Sequence, residues 1–268
     1  MKAIVKTGEN RGFAYADTEK PRPKPDEVLF EVESAAICGT DIHYYHWDQN
    51  AKSFASKFNV KFPFVVGHES SGTVVEVGKD VKSVKIGERI TLETHIPCGK
   101  CFQCQNNNPH NCMNMGVYGT SCDGSFSDYA LAPESVVFKL PDSVSFEAGS
   151  LFEPAGVAMH AVDRAQVLPG DTVLVFGCGA IGLFTIKILL LCGAARVIAV
   201  DIDPYRIDMA KKMGAIAVNS AKEDLTKVIK EYTAKRGGAD IILEMTGSAK
   251  VYEKLFDYLR LEGLVVTV

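Results

Sequence analysis

Residues 172–201, TVLVFGCGAIGLFTIKILLLCGAARVIAVD, decide how this chain is read. TVLVF is a short apolar run with the look of a buried strand, and AIGLFTIKILLLCG has the length and residue types of a helix. RVIAVD follows as a second buried strand ending on an acid. Between strand and helix, Gly177, Gly179 and Gly182 form G-x-G-x-x-G, with Ala180 and Ile181 opening the helix. The first glycine permits the tight turn, the second lets backbone approach a pyrophosphate, and the third lets helix pack on strand. Asp201 stands 19 residues beyond Gly182, where a carboxylate accepts hydrogen bonds from ribose hydroxyls and repels a 2′-phosphate. NAD is therefore the expected cofactor, and Arg206 is the residue that could relax that choice.

Downstream the same alternation continues. PYRIDMAKKMG and EDLTKVIKEYTAKRG read as helices, while AIAVN, ADIILEM and LVVTV read as strands. Strands alternating with helices mean βαβ units on a parallel sheet. Thr246 and Gly247, just after ADIILEM, fall at the carboxyl edge of that sheet and are further candidates for cofactor contact. Upstream, residues 1–145 consist of short runs such as KAIVKT, EVLFEVES and GTVVEVG, broken by Gly, Pro, Asn and Asp. That pattern predicts an all-β, barrel-like region with long loops. Two domains follow, 1–150 and 151–268, with 146–166 as a helical bridge.

The composition agrees with a globular protein. The 268 residues are 47% hydrophobic and 23% charged, with a formal net charge of −4 and no basic block to neutralise phosphates, so no nucleic-acid partner is expected. The apolar stretch 180–200 is interrupted by Lys187, Gly193 and Arg196 and is read as buried helix plus strand, with no membrane partner. The start, MKAIVKTGENRGF, lacks a leader-like apolar segment, and the cysteines are too few for a disulfide scaffold, so a reducing cytoplasm is expected.

Four of the eight cysteines, Cys98, Cys101, Cys104 and Cys112, crowd into C-x2-C-x2-C-x7-C. Four thiolates at this spacing can close a tetrahedral shell around zinc, leaving no open position, which describes a structural site. The first three resemble an iron–sulfur run, but that pattern wants its fourth cysteine after three residues and before proline. Cys122, Cys178 and Cys192 are read as small buried apolar residues.

Cys38 in CGTDIHYYHWD, His68 and Glu69 in GHE, and Glu153 in EPAG are spread too widely for spacing to group them. In this order, with the cysteine lobe, G-x-G-x-x-G and Asp201, they make the whole chain resemble the zinc-dependent medium-chain dehydrogenase/reductase family. CGTDIHYYHWD and ETHIPCGKC look most like the branch that oxidises L-threonine at C3. The resemblance implies a GroES-like, partly open β-barrel domain followed by a Rossmann doubly wound parallel sheet. It implies hydride transfer from a secondary alcohol to NAD, and two zinc ions, one catalytic and one structural. Cys38, His68 and Glu153 would hold the catalytic zinc, with Glu69 as a fourth ligand or exchangeable neighbour and Asp41 orienting a ligand or capping the following turn. Thr40 and His43 would relay the alcohol proton, and His95 would line the substrate pocket or anchor the lobe.

Two departures from the family pattern remain. The segment between Trp47 and His68 reads as an unusually long loop on the substrate side, and Val157 in EPAGVAMHAV stands where a threonine enzyme is expected to carry an amide. Polyol and 2,3-butanediol oxidation are therefore alternative activities. The chain stops at LVVTV, in what reads as the fifth strand of a six-strand sheet, so a C-terminally truncated product is expected. A homo-oligomer is expected of the full-length form. The remaining alternative is a non-catalytic remnant that binds NAD and zinc.

Overall fold

A computed structural model describes residues 1–233 and 235–268. The chain divides into two compact units, Met1–Glu153 and Pro154–Val268.

The first unit is built on ten strands: β1 (Lys2–Lys6), β2 (Ala14–Asp17), β3 (Glu27–Ala36), β4 (Phe64–Val65), β5 (Glu69–Val77), β6 (Arg89–Leu92), β7 (His95–Ile96), β8 (Gly116–Val117), β9 (Tyr129–Pro133) and β10 (Val137–Lys139). They form an antiparallel five-stranded sheet in the order β10-β6-β5-β3-β9, a three-stranded sheet β2-β1-β4, and the pair β7-β8. Val28, Phe30, Val74, Ile90, Leu92, Ala130 and Ala132 fill the core beneath the larger sheet. Register shifts between β3 and β5 at Leu29/Phe30 and Val32/Ser34 mark bulges, which bend and twist the strands.

That pairing builds the site. Ala36, the last residue of β3, is opposite Glu69, the first of β5, so the chain leaving β3 at Cys38 passes beside His68 and Glu69. Residues 30 apart in sequence become neighbours through one antiparallel ladder. Two helices follow β3: α1 (Gly39–His46) and α2 (Gln49–Phe58). The stretch read as a long loop thus holds a ten-residue helix, capped by Asp48, whose side chain accepts the N–H groups of Asn50 and Ala51. The helix α3 (Phe102–Gln105) lies within the cysteine lobe, and α4 (Phe146–Ser150) precedes α5 (Phe152–Ala165).

The second unit is a parallel sheet in the order β13-β12-β11-β14-β15, from β11 (Thr172–Phe176), β12 (Arg196–Asp201), β13 (Ile216–Asn219), β14 (Ala239–Glu244) and β15 (Leu259–Thr267). Helices α6 (Ala180–Leu191), α7 (Pro204–Lys212), α8 (Leu225–Thr233) and α9 (Ala249–Tyr252) complete it. Within the helix read over EDLTKVIKEYTAKRG, Ala234 lies outside the described residues. Alternate strand residues face opposite sides. Val173, Val175, Val197, Ala199, Ile241 and Leu243 pack with Ile186 and Leu189 of α6 and with Ile207 and Ala210 of α7. Leu174, Phe176, Ile198, Val200 and Ile242 face the other way, toward Ile229 and Leu255. Burial on both faces is why TVLVF is apolar at nearly every position. β15 is an edge strand: Val265 and Val266 pack partly against the two core layers, while Leu264 and Val268 are exposed. Of the three unassigned cysteines only Cys178 is buried. Cys122 and Cys192 are exposed, because they sit in the turn after Val117 and at the C-cap of α6, outside both core layers.

Candidate functional site

Cys38 is the N-cap residue of α1, with extended backbone, and Asp41 reaches back so that its Oδ2 accepts the Cys38 N–H at 2.9 Å. Cys38 Sγ, a ring nitrogen of His68 and a carboxylate oxygen of Glu69 lie within 4.8 Å of one another. Glu69, expected as a fourth ligand or exchangeable neighbour, falls inside that tight group, while Glu153, expected as a ligand, falls outside it. The Glu153 carboxyl remains in electrostatic reach: burial and then Glu69 push it up to about 7, with a counteracting pull from His95.

The donor set has the electrostatics of a cation site. Burial pushes the Cys38 thiol up to about 11, Asp41 up to about 6 and His68 down to about 4. Glu69 is raised by burial and then by Asp41. Thiol and carboxyl groups are thus gathered where their charged forms are poorly compensated, and a divalent cation would supply the missing charge. One thiolate, one imidazole and one carboxylate suit zinc with a position left open. Asp41 Oδ1 is buried without a hydrogen-bond partner and lies 3.9 Å from His68 Nδ1. Asp41 thus caps α1 with one oxygen and turns the other toward the His68 ring.

Around this group, Thr40 Oγ1 lies 3.8 Å from Cys38 Sγ. His43, one turn further along α1, has its Nδ1 2.6 Å from Asp48 Oδ2. Among the described residues no hydrogen bond joins Thr40 to His43 directly. His95 is clamped by Glu93, whose oxygens take its backbone N–H at 2.7 Å and its Nδ1 at 2.6 Å, and this bond raises the His95 pKa. Sequence reasoning assigned no role to Asp48 or Glu93. Each is a carboxylate a few residues from a candidate histidine, the only signal that could have marked it.

The four lobe cysteines also converge within 4.8 Å. Cys101 Sγ is 3.5 Å from Cys104 Sγ and 3.8 Å from Cys112 Sγ, against about 3.8 Å for sulfurs arranged tetrahedrally around zinc. Backbone N–H groups of Cys98 and Asn114 point at Cys112 Sγ, and that of Met113 at Cys101 Sγ. The N–H of Lys100 helps to hold the Cys98 thiol down at about 6, while burial and the neighbouring thiols push Cys104 up to about 12. Four thiols with N–H donors aimed at their sulfurs fit a tetrathiolate zinc shell.

In the second unit, Gly177 has φ +93°, and a Cβ on Gly182 would come within 2.0 Å of the Gly177 carbonyl oxygen, so neither tolerates a side chain. A Cβ at Gly179, the N-cap of α6, would meet nothing within 4 Å, leaving an open approach to the first turn formed by Ala180 and Ile181. An anion fits at such a helix end. Asp201 is buried, accepting the N–H groups of Cys178 at 2.7 Å, Ile202 at 2.7 Å and Asp203 at 2.9 Å, and Arg206 Nη1 lies 3.9 Å from it. Glu244, buried at the end of β14, accepts the N–H groups of Thr246 and Gly247 and bonds the Thr246 hydroxyl.

Residues 24–142 match the model of the alcohol dehydrogenase GroES-like domain, and residues 180–268 match that of the zinc-binding dehydrogenases. An L-threonine 3-dehydrogenase of Caldanaerobacter subterraneus subsp. tengcongensis is 39% identical over 264 residues, covering 98% of this chain and 74% of that protein. The chain belongs to the zinc-dependent alcohol dehydrogenase family. Another L-threonine 3-dehydrogenase, from Deinococcus deserti, is 37% identical over 99% of this dehydrogenase and 76% of its own length. Among solved structures, the 2R,3R-butanediol dehydrogenase of Bacillus subtilis superposes with a TM-score of 0.85 at 32% identity, over 100% of this chain and 77% of that one. A Sinorhizobium meliloti 1021 protein solved bound to NADP gives 0.90 at 32% identity, over 99% and 75%. The expected architecture, a GroES-like half-barrel joined to a parallel Rossmann sheet, is that of the family. No described helix of this dehydrogenase is long and apolar enough to cross a membrane.

Proposed function

We propose that this dehydrogenase oxidises the C3 hydroxyl of L-threonine, a small-molecule alcohol, with NAD as hydride acceptor. The observation that carries this reading is the convergence of Cys38, His68 and Glu69 into a three-donor group beside the unpartnered Asp41 oxygen, in a chain similar to L-threonine 3-dehydrogenases. Of two zinc ions, one is held at this group, with Glu153 as the adjacent carboxylate, and one in the closed shell of Cys98, Cys101, Cys104 and Cys112.

Bound zinc supplies a Lewis acid that acidifies the hydroxyl, and bound NAD supplies the acceptor for the hydride. The protein's own residues manage the proton and the pose. Thr40, beside Cys38, takes the hydroxyl proton and passes it toward His43, which stands half-exposed and can release it to solvent. Asp41 orients His68. His95, whose pKa the Glu93 contact raises, receives the carboxylate of the amino acid. Gly177, Gly179, Ala180, Ile181 and Gly182 accept the pyrophosphate, Asp201 the adenosine ribose with Arg206 beside it, and the turn at Thr246 and Gly247 flanks the cofactor.

A second reading, oxidation of a polyol or vicinal diol, is favoured by the likeness to a butanediol dehydrogenase and by Val157. NADH formation with L-threonine, sorbitol and 2,3-butanediol offered separately decides between them. Threonine turned over well above both others is the expected result. Turnover with none, alongside intact zinc and NAD binding, would leave the binding-only reading.

A further inference from the structure

The pair formed by His43 and Asp48 has a chemical consequence. An ionised carboxylate can only accept a hydrogen bond, so the 2.6 Å contact puts the imidazole proton on Nδ1. In the neutral ring Nε2 then carries a lone pair, and it is Nε2 that the Asn50 side-chain amide approaches, at 3.3 Å. Asp48 Oδ1 meanwhile accepts the N–H groups of Asn50 at 3.0 Å and Ala51 at 3.1 Å, the first turn of α2. The ring is thus seated between two residues at the N-terminus of α2, and one carboxylate both caps the helix and selects the tautomer. Trp47, with φ +52° at the C-cap of α1, turns the chain so that Asp48 comes back to the ring.

We propose that Asp48 is a positioning residue for proton removal from the alcohol: by holding Nδ1–H of His43 it presents Nε2 as the nitrogen that accepts the proton. The inference rests on the reading of His43 as the proton acceptor. No bond to carbon is involved. The proton that leaves the alcohol oxygen is taken on Nε2, the Nδ1 proton stays on the ring, and the resulting imidazolium sits against the Asp48 carboxylate until Nε2 releases its proton to water. The Asn50 contact is long and on the surface, so it yields to an incoming donor.

Asp48→Asn tests this in the intact, zinc-loaded protein, because asparagine caps a helix about as well as aspartate but offers no negative charge and can present an N–H to Nδ1. The imidazole nitrogen spectrum of His43 should show protonated Nδ1 and unprotonated Nε2 in the parent, and this preference should be lost in Asp48→Asn. Turnover should fall by about tenfold or more, while melting temperature, zinc content and the KM for NAD stay at parental values. Asp48→Ser, a second capping residue too short to reach the ring, should repeat the loss. If the nitrogen spectrum and turnover of Asp48→Asn match the parent while His43→Gln is impaired, Asp48 has no positioning role and the relay stands. If His43→Gln itself turns over at the parental rate, the relay reading falls and the role of Asp48 falls with it.

Discussion

The Asp201 carboxylate accepts the backbone N–H of Cys178 at 2.7 Å, tying the end of one strand to the glycine turn of its neighbour. The residue proposed to select the cofactor therefore also shapes the glycine turn. Its other oxygen holds Ile202 and Asp203, so the carboxylate is immobilised before any ribose arrives. A 2′-phosphate placed there would meet a buried negative charge. Asp201→Ser should weaken NAD binding by about tenfold, corresponding to about 1.4 kcal/mol, and raise the ratio of NADP to NAD affinity. Cofactor titrations by fluorescence measure both, and an unchanged ratio would remove Asp201 as the selector.

Cys38 separates the two proposed metal sites experimentally. Cys38→Ser exchanges a thiolate for a hydroxyl that binds zinc poorly, and its side chain takes no part in the lobe. Zinc should fall by about one equivalent per chain, with turnover lost by at least about a hundredfold and the melting temperature little changed. Metal analysis and threonine-dependent NADH formation check this. A variant that is folded, loaded at the lobe and as fast as the parent would exclude Cys38 from the chemistry.

The parallel sheet and its turn were legible in the sequence because everything they need is local: an apolar strand, three glycines and an acid within 30 residues. The lobe was legible for the same reason. Cys38, His68 and Glu69 could be grouped only through the family likeness, since what joins them is the register of two strands, Ala36 opposite Glu69, which no periodicity discloses. That Glu69 joins Cys38 and His68 in the tight group while Glu153 stands outside it has the same origin, since packing alone decides it. The helix Gln49–Phe58 was missed although its capping residue Asp48 was in plain view, because its polar composition and two lysines resemble a loop. Asp48 and Glu93 went unassigned because a carboxylate's partner depends on side-chain direction, not on spacing alone.

The cysteine lobe should depend on its metal for order. Cys98, Cys101 and Cys104 are only partly buried, and α3 contributes no buried residue, so little apolar packing holds this segment. Removing zinc with a strong chelator, or substituting Cys104→Ser, should lower the melting temperature by about 5 °C or more. The difference between zinc-loaded and zinc-free protein should shrink below about pH 6, as protons compete with zinc for the Cys98 thiolate. Calorimetry with and without chelator measures it, and an unchanged melting temperature would show that the lobe is held by something other than metal.

The partners of Asp240 give its contribution to stability a pH dependence. Burial alone would raise its pKa, but the N–H of Thr172 and the guanidinium groups of Arg260 and Arg236 outweigh burial and hold it below the usual carboxylate value. Thr172 N–H lies 2.8 Å from Oδ2, Arg236 Nη1 2.6 Å from Oδ2 and Arg260 Nε 2.6 Å from Oδ1, so one carboxylate joins β11, β14 and β15. A depressed folded-state pKa contributes stability that is full above the unfolded value and is lost as pH falls through the folded value. Both arginines are partly exposed, which screens the pairs. Asp240→Asn should therefore cost about 2 kcal/mol at neutral pH, and the gap to the parent should close as pH falls through the range where Asp240 itself becomes protonated. Urea titrations of both proteins across that range give the comparison. A deficit that stayed constant into strong acid would mean that Asp240 acts through its shape and neutral hydrogen bonds, with no contribution from its charge.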